Sequence, residues 1–125
     1  MFPRIALTTA LVAAFALVIA VVGYGRASST PTLKGAVGPG FTISLKTNGK
    51  AVKSLKAGSY KFVVADKSSI HGFTLEQEKG GKFEKALTAV PAVGTKTVTV
   101  KLTAGKWKFY CPPHETSMFG FITVK

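Results

Sequence analysis

The sequence predicts an all-β fold, an antiparallel sandwich or barrel of short strands, behind an N-terminal apolar helix. Three observations carry the prediction. Apolar and polar residues alternate through a series of short segments, turn-forming residues separate those segments at regular spacing, and no 3.6-residue periodicity appears beyond the first thirty or so positions.

The 125-residue chain opens with Met1-Phe2-Pro3-Arg4, an uncharged apolar run from Ile5 to Gly23, and then Tyr24-Gly25-Arg26-Ala27. A positive start, an apolar centre and a small-residue exit at Gly25 and Ala27 make an export signal. Residues 1–27 are therefore expected to be a signal peptide or, if retained, an N-terminal membrane anchor through residues 5–23, a run nearly long enough to span a bilayer. Either way residues 28–125 are expected outside the cytoplasm, in the periplasm, on the cell surface or secreted. These 98 residues are one domain's worth, with an ordered core expected over 33–125.

Within that domain, Ser28 to Gly40 is rich in Gly, Pro, Ser and Thr and reads as a loose stretch. Phe41, Ile43 and Leu45 then share one strand face, and Asn48-Gly49 marks a hairpin turn. Tyr60 to Val64 follows the Ala57-Gly58 break as a strand, and Ile70 to Gln77 is another, closed by Lys79-Gly80-Gly81. Phe83 to Val90 is weaker and ends at Pro91. Thr95 to Leu102 alternates cleanly, with Val98, Val100 and Leu102 turned inward. Lys106 to Cys111 and Phe119 to Val124 complete the set.

Composition narrows the function. The sequence carries +12 at pH 7, and both arginines, Arg4 and Arg26, lie in the leader, so the domain sets 15 lysines against Asp66, Glu76, Glu78, Glu84 and Glu115. Bidentate recognition of phosphate or of guanine edges leans on arginine, which argues against a sequence-reading nucleic-acid module. The lysines solubilise the domain and would steer it toward anionic partners, such as an acidic redox protein or an anionic lipid surface. Few acids, and no nucleophile with a free base beside it, argue against a hydrolytic enzyme.

The single cysteine is the most informative residue. An exported protein usually spends cysteines on disulfides, yet Cys111 has no partner in the chain. Such a thiol oxidises unless something holds it, and a metal is a physical reason to keep it. It stands in Cys111-Pro112-Pro113-His114-Glu115-Thr116-Ser117-Met118, directly after an alternating strand in which Trp107, Phe109 and Cys111 face inward while Tyr110 and the lysines face out. Alternation also groups His71 with Phe73 and Leu75, at the inward edge of its strand. Two histidines and a thiolate with a weakly bound thioether form the ligand set of blue copper. The candidate metal ligands are thus His71, Cys111, His114 and Met118. Zinc is the chemical rival, but structural zinc sites prefer four strong donors and a thioether is not one.

The loop and its flanks, from Phe109 to Val124, resemble the copper loop of the plastocyanin-like cupredoxins, in the compact form found in small exported bacterial domains. The likeness extends through Gly38-Pro39-Gly40-Phe41-Thr42, Leu55 to Tyr60 and Asp66 to His71. It implies a Greek-key β-sandwich holding one type 1 copper ion, with His71, Cys111 and His114 equatorial and Met118 axial. It also implies an exposed His114 ring edge as the electron port, rimmed by Pro112, Pro113 and Phe119. Relatives usually place asparagine directly after the first histidine as a brace for the cysteine loop, where this chain has Gly72. Gly120 is expected to let the chain turn into the last strand.

The function so implied is that of an exported electron carrier, monomeric and not an enzyme, serving a redox partner with an acidic docking face. The alternative is a copper-sequestering or delivery protein of the cell envelope built from the same ligands. An adhesive sandwich using only its lysines would ignore metal altogether.

Overall fold

The computed structural model describes residues 29–125. The expected leader over 1–27 and the apolar run 5–23 lie outside the described residues. Ten strands follow one another: β1 (Thr32–Val37), β2 (Ile43–Thr47), β3 (Lys50–Ala51), β4 (Ser54–Leu55), β5 (Gly58–Asp66), β6 (Phe73–Lys79), β7 (Glu84–Thr88), β8 (Gly94–Leu102), β9 (Gly105–Tyr110) and β10 (Phe119–Val124). They form two five-stranded sheets, ordered β3-β2-β1-β5-β8 and β4-β10-β9-β6-β7. The chain crosses repeatedly between them, as in a Greek-key sandwich.

Two features depart from the sequence reading. The sheets are mixed, because β1 pairs with β5 and β10 with β4 in parallel. Alternation reports which face a residue takes, not the direction of the neighbouring strand, so the sequence pattern could not distinguish the two. The second departure is β1 itself, which occupies part of the stretch read as loose. Its inward positions are Leu33, Gly35 and Val37, and the central glycine breaks the apolar pattern. That glycine is a packing device: a Cβ there would stand 3.0 Å from Phe73 Cε2 and 3.1 Å from Val64 Cγ2.

The core fills the gap between the sheets. Leu33, Val37, Leu45, Phe62, Val64, Val100 and Leu102 project from one sheet onto Phe73, Leu75, Leu87, Trp107, Phe109, Ile122 and Val124 of the other. Burying such a side chain contributes about 1.5–3 kcal/mol. Phe73 and Phe109 stack in parallel with centroids 5.6 Å apart. Trp107 leans on Phe83 and donates its indole N–H to the Thr103 carbonyl at 2.9 Å. Tyr110, read as outward-facing, is buried instead, and its hydroxyl donates to Glu84 Oε1 at 2.6 Å across β6.

One end of the sandwich gathers four connections. β1 and β5 end there and β2 and β6 begin there, since Val37 pairs with both Ile43 and Asp66. The β9–β10 pairing closes at the same end on Tyr110 and Phe119, and β7 hands over to β8. Side chains on these loops meet regardless of their distance along the chain.

Candidate metal centre

His71 and Cys111 reach this end from two strands that are neighbours in one sheet. Cys111 is the first residue past β9, extended in backbone and fully buried. His71 is equally buried, but it stands in the β5–β6 connection two residues ahead of β6, not inside a strand as the sequence suggested. A local turn holds it there: Ser68 donates its N–H to Asp66 Oδ1, Ile70 donates to Ser68 Oγ, and His71 donates to the Ser68 carbonyl at 3.2 Å. These side-chain turns compete with the ladder and delay the strand. The inward parity that His71 shares with Phe73 and Leu75 survives.

The loop from Cys111 to Met118 is tied to itself. Pro112 to His114 forms one 3-10 turn, and two prolines at its start suit positions whose N–H groups need no partner. His114 donates to the Cys111 carbonyl at 3.0 Å, while Ser117 and Met118 both donate to the His114 carbonyl. The Cys111 N–H donates to the Met118 carbonyl at 3.0 Å, so the two ends of the loop are held opposite each other. An ion pair of 2.8 Å between Lys108 and Glu115 clamps the loop to β9 and raises the ammonium pKa, chiefly through that hydrogen bond. Met118 is 1 % exposed and faces the interior beneath the loop.

Three donor atoms converge. His71 Nδ1 and His114 Nδ1 are 3.2 Å apart, and Cys111 Sγ lies 3.7 Å from the first and 3.5 Å from the second. A triangle with these sides has its centre about 2.0 Å from each corner, a first-row metal–imidazole bond length. Lone pairs from two imidazoles and a sulfur aimed at one point repel one another unless a cation or proton sits among them. The donor set therefore fits a metal ion on geometry and on chemistry. His71 Nε2 has no hydrogen-bond partner although it is buried, so the ring is positioned by its turn and by packing.

Phe41 completes the site, and the sequence reading missed it. Alternation put it on one strand face with Ile43 and Leu45, but β2 begins only at Ile43, and Phe41 is 62 % exposed. Its ring meets His71 and His114 edge-on, with centroids at 5.3 and 5.0 Å. The break at Gly38-Pro39-Gly40 was the available signal that the strand pattern did not extend so far. Phe119, expected at the rim, packs against Phe121 with Lys108 above, on the outer face of the second sheet.

No protein-family model matches the chain, and no curated protein matches it. Solved structures do. The copper protein rusticyanin aligns with a TM-score of 0.54 at 23 % identity, covering 79 % of this chain and 80 % of that one. Reduced rusticyanin gives 0.52 at 24 % identity over 79 % and 81 %. A methionine-to-glutamine variant of rusticyanin gives 0.50 at 25 % identity over 79 % and 80 %. This is the cupredoxin fold.

Within that cupredoxin fold, Gly72 has a structural reason. A Cβ at this position would stand 3.0 Å from the Thr88 carbonyl oxygen and 3.5 Å from Val90 Cγ2. The end of β7 and Val90 thus crowd any side chain at 72, and the ligand loop is tied by its own backbone hydrogen bonds. Gly120 also differs from expectation. It lies within β10 opposite Phe109, and it is small because the Phe109 ring lies against it, not because the chain turns.

Proposed function

We propose that this protein is an exported type 1 copper protein that carries single electrons, and that His71, Cys111, His114 and Met118 would hold the ion. The observation that carries the reading is the triangle of two imidazole nitrogens and one cysteine sulfur closing around a point about 2.0 Å from each. A three-donor set of this composition, with a buried methionine next in the loop, favours copper over zinc. The solved copper protein whose fold it shares, known also in a reduced form, supports the choice.

Copper bound there would supply a one-electron couple. The chain's own residues do the rest. His71 and Cys111 are buried and held by backbone hydrogen bonds, so their donor atoms keep one arrangement and reorganise little when charge changes. His114 is half-buried, which leaves part of its ring at the surface where an electron could leave. Phe41 packs edge-on against both imidazoles. The partner would be a redox protein with an acidic docking face, met outside the cytoplasm by a monomer.

Visible absorption and electron paramagnetic resonance of the protein titrated with cupric salt test this. One equivalent should produce an intense thiolate-to-copper charge-transfer band that Cys111→Ser abolishes, and voltammetry should show a reversible couple. Protein that stays colourless in excess cupric salt under oxidising conditions refutes it. Copper that binds but is stripped readily by a chelator, without a reversible couple, would instead mark a sequestering or delivery protein.

A further inference from the structure

Charge is unevenly spread over the two sheets. Glu76, Glu78 and Glu84 lie on β6 and β7 of the second sheet and Glu115 on the ligand loop. Glu76 is the cross-strand partner of Glu84 and of Lys108, and Lys108 pairs with Glu115, so these three acids share one side. Asp66 is buried. The outer face of the first sheet has no carboxylate.

That face carries a row of lysines. Strand alternation turns Lys34 of β1, Lys46 of β2, Lys61 of β5 and Lys101 of β8 to solvent. Lys34 and Lys46 are direct cross-strand partners. Lys61 pairs with Thr32, two residues before Lys34, and Lys101 lies two residues beyond Thr99, the partner of Lys61. The four ammonium groups therefore run obliquely across four adjacent strands. Like charges placed directly opposite destabilise a sheet. The one ion pair among the described residues, Lys108 with Glu115, is on the other sheet. Beside the row, a groove of about 510 Å³ runs between Lys34 and Lys46, edged by Ser44, Thr47 and Asn48.

We propose that this face is a docking surface for membranes rich in anionic lipid, with Lys34, Lys46, Lys61 and Lys101 meeting the headgroup phosphates. An acidic protein fits less well. Protein interfaces are anchored by aromatic and arginine side chains, and this face offers lysine, threonine, serine and alanine. The exposed large apolar residues, Phe41, Ile70, Val90, Val93, Phe119 and Phe121, lie at the histidine end or on the second sheet. A polybasic surface without apolar anchors suits a diffuse layer of negative headgroups. In sequence, only residues 24–31 separate the apolar run ending at Gly23 from Thr32 at the start of β1, a tether of at most about 30 Å. Whatever membrane that run engages is within reach of this face. A domain lying on its first sheet leaves the histidine end free at the edge.

Each lysine should strengthen binding about fivefold at low salt. The full chain is mixed with vesicles of phosphatidylcholine alone or with added phosphatidylglycerol, pulsed with a water-soluble amine-acylating reagent, and mapped by mass spectrometry. Lys34, Lys46, Lys61 and Lys101 are expected to lose reactivity at least about fivefold on the anionic vesicles only, and to regain it in high salt, while Lys106 and Lys108 keep theirs. The double variant Lys34→Gln, Lys46→Gln should weaken the anionic component of binding roughly 30-fold with an unfolding midpoint no lower than the parent's. Equal protection on both vesicle types overturns the proposal, as does protection centred on Lys106 and Lys108. Stronger protection by soluble polyglutamate than by vesicles also overturns it and assigns the face to an acidic protein. None of these readings involves the metal, so the proposal stands or falls apart from the copper assignment.

Discussion

Gly120→Ala is expected to damage both the sandwich and the metal centre, although the substitution adds only one methyl group. A Cβ at 120 would lie 2.8 Å from both Cε1 and Cε2 of Phe109, its cross-strand partner. The ring cannot retreat, because Phe109 is stacked flat on Phe73, and Phe73 in turn lies against the backbone of Gly35. Overpacking of this kind costs about 1–3 kcal/mol. For a domain of this size, that lowers the unfolding midpoint by roughly 5–20 °C. Phe109 stands two residues before Cys111, and Phe73 two after His71, so forcing the stack apart also separates the donors. Thermal unfolding followed by circular dichroism measures the first effect, and copper titration the second. A double variant isolates the cause: Phe109→Ala vacates the space the new methyl would enter, so the two changes together should cost at least about 1 kcal/mol less than their sum. A midpoint within about 2 °C of the parent, or strict additivity, would refute the reasoning.

Three other outcomes follow from the site and its surroundings. Pro113 has no N–H to offer the cysteine sulfur, so Pro113→Ala should admit a donor, draw charge from the thiolate and raise the reduction potential by roughly 40 mV per 1 kcal/mol of differential bonding; voltammetry showing an unchanged or lower value contradicts this. Removing the ring in Phe41→Ala deletes two edge-to-face contacts with the imidazoles and should speed copper loss to a chelator about tenfold, with little change in the metal-free unfolding midpoint because Phe41 is mostly exposed. Burial, and then the hydrogen bond to Glu84, raise the Tyr110 pKa above its ordinary 10.0. The folded state therefore keeps a proton that the unfolded chain releases, and this contribution is present below about pH 10 and lost as pH rises further. Tyr110→Phe should flatten that alkaline decline while costing about 1 kcal/mol at neutral pH.

The alternation in residues 95–102 and 106–111 was enough to name β8 and β9 and their inward residues, because in a two-layer sandwich the buried face and the apolar parity are the same fact. The ligand candidates were legible for a related reason. His71 and Cys111 are chemically costly residues in positions where a packed core would use aliphatic ones, and His114 stands three residues from the cysteine. What failed were readings that depend on partners. Tyr110 is outward by parity, yet it is covered because its hydroxyl meets Glu84 across the sheet. His71 leaves the strand early because Ser68 and Asp66 form a turn that propensity alone does not weigh.

By itself, then, the order of residues determined the all-β class, most of the inward faces and which side chains could hold a metal, since those follow from period and donor chemistry along one strand at a time. Only the tertiary structure decided that β1 and β5 run parallel, that Phe41 covers both imidazoles, that Gly120 makes room for a ring, and that the lysines of four strands line up on one face. Each of these is a relation between segments distant in the chain. Register and sheet packing set such relations, and no local pattern encodes them.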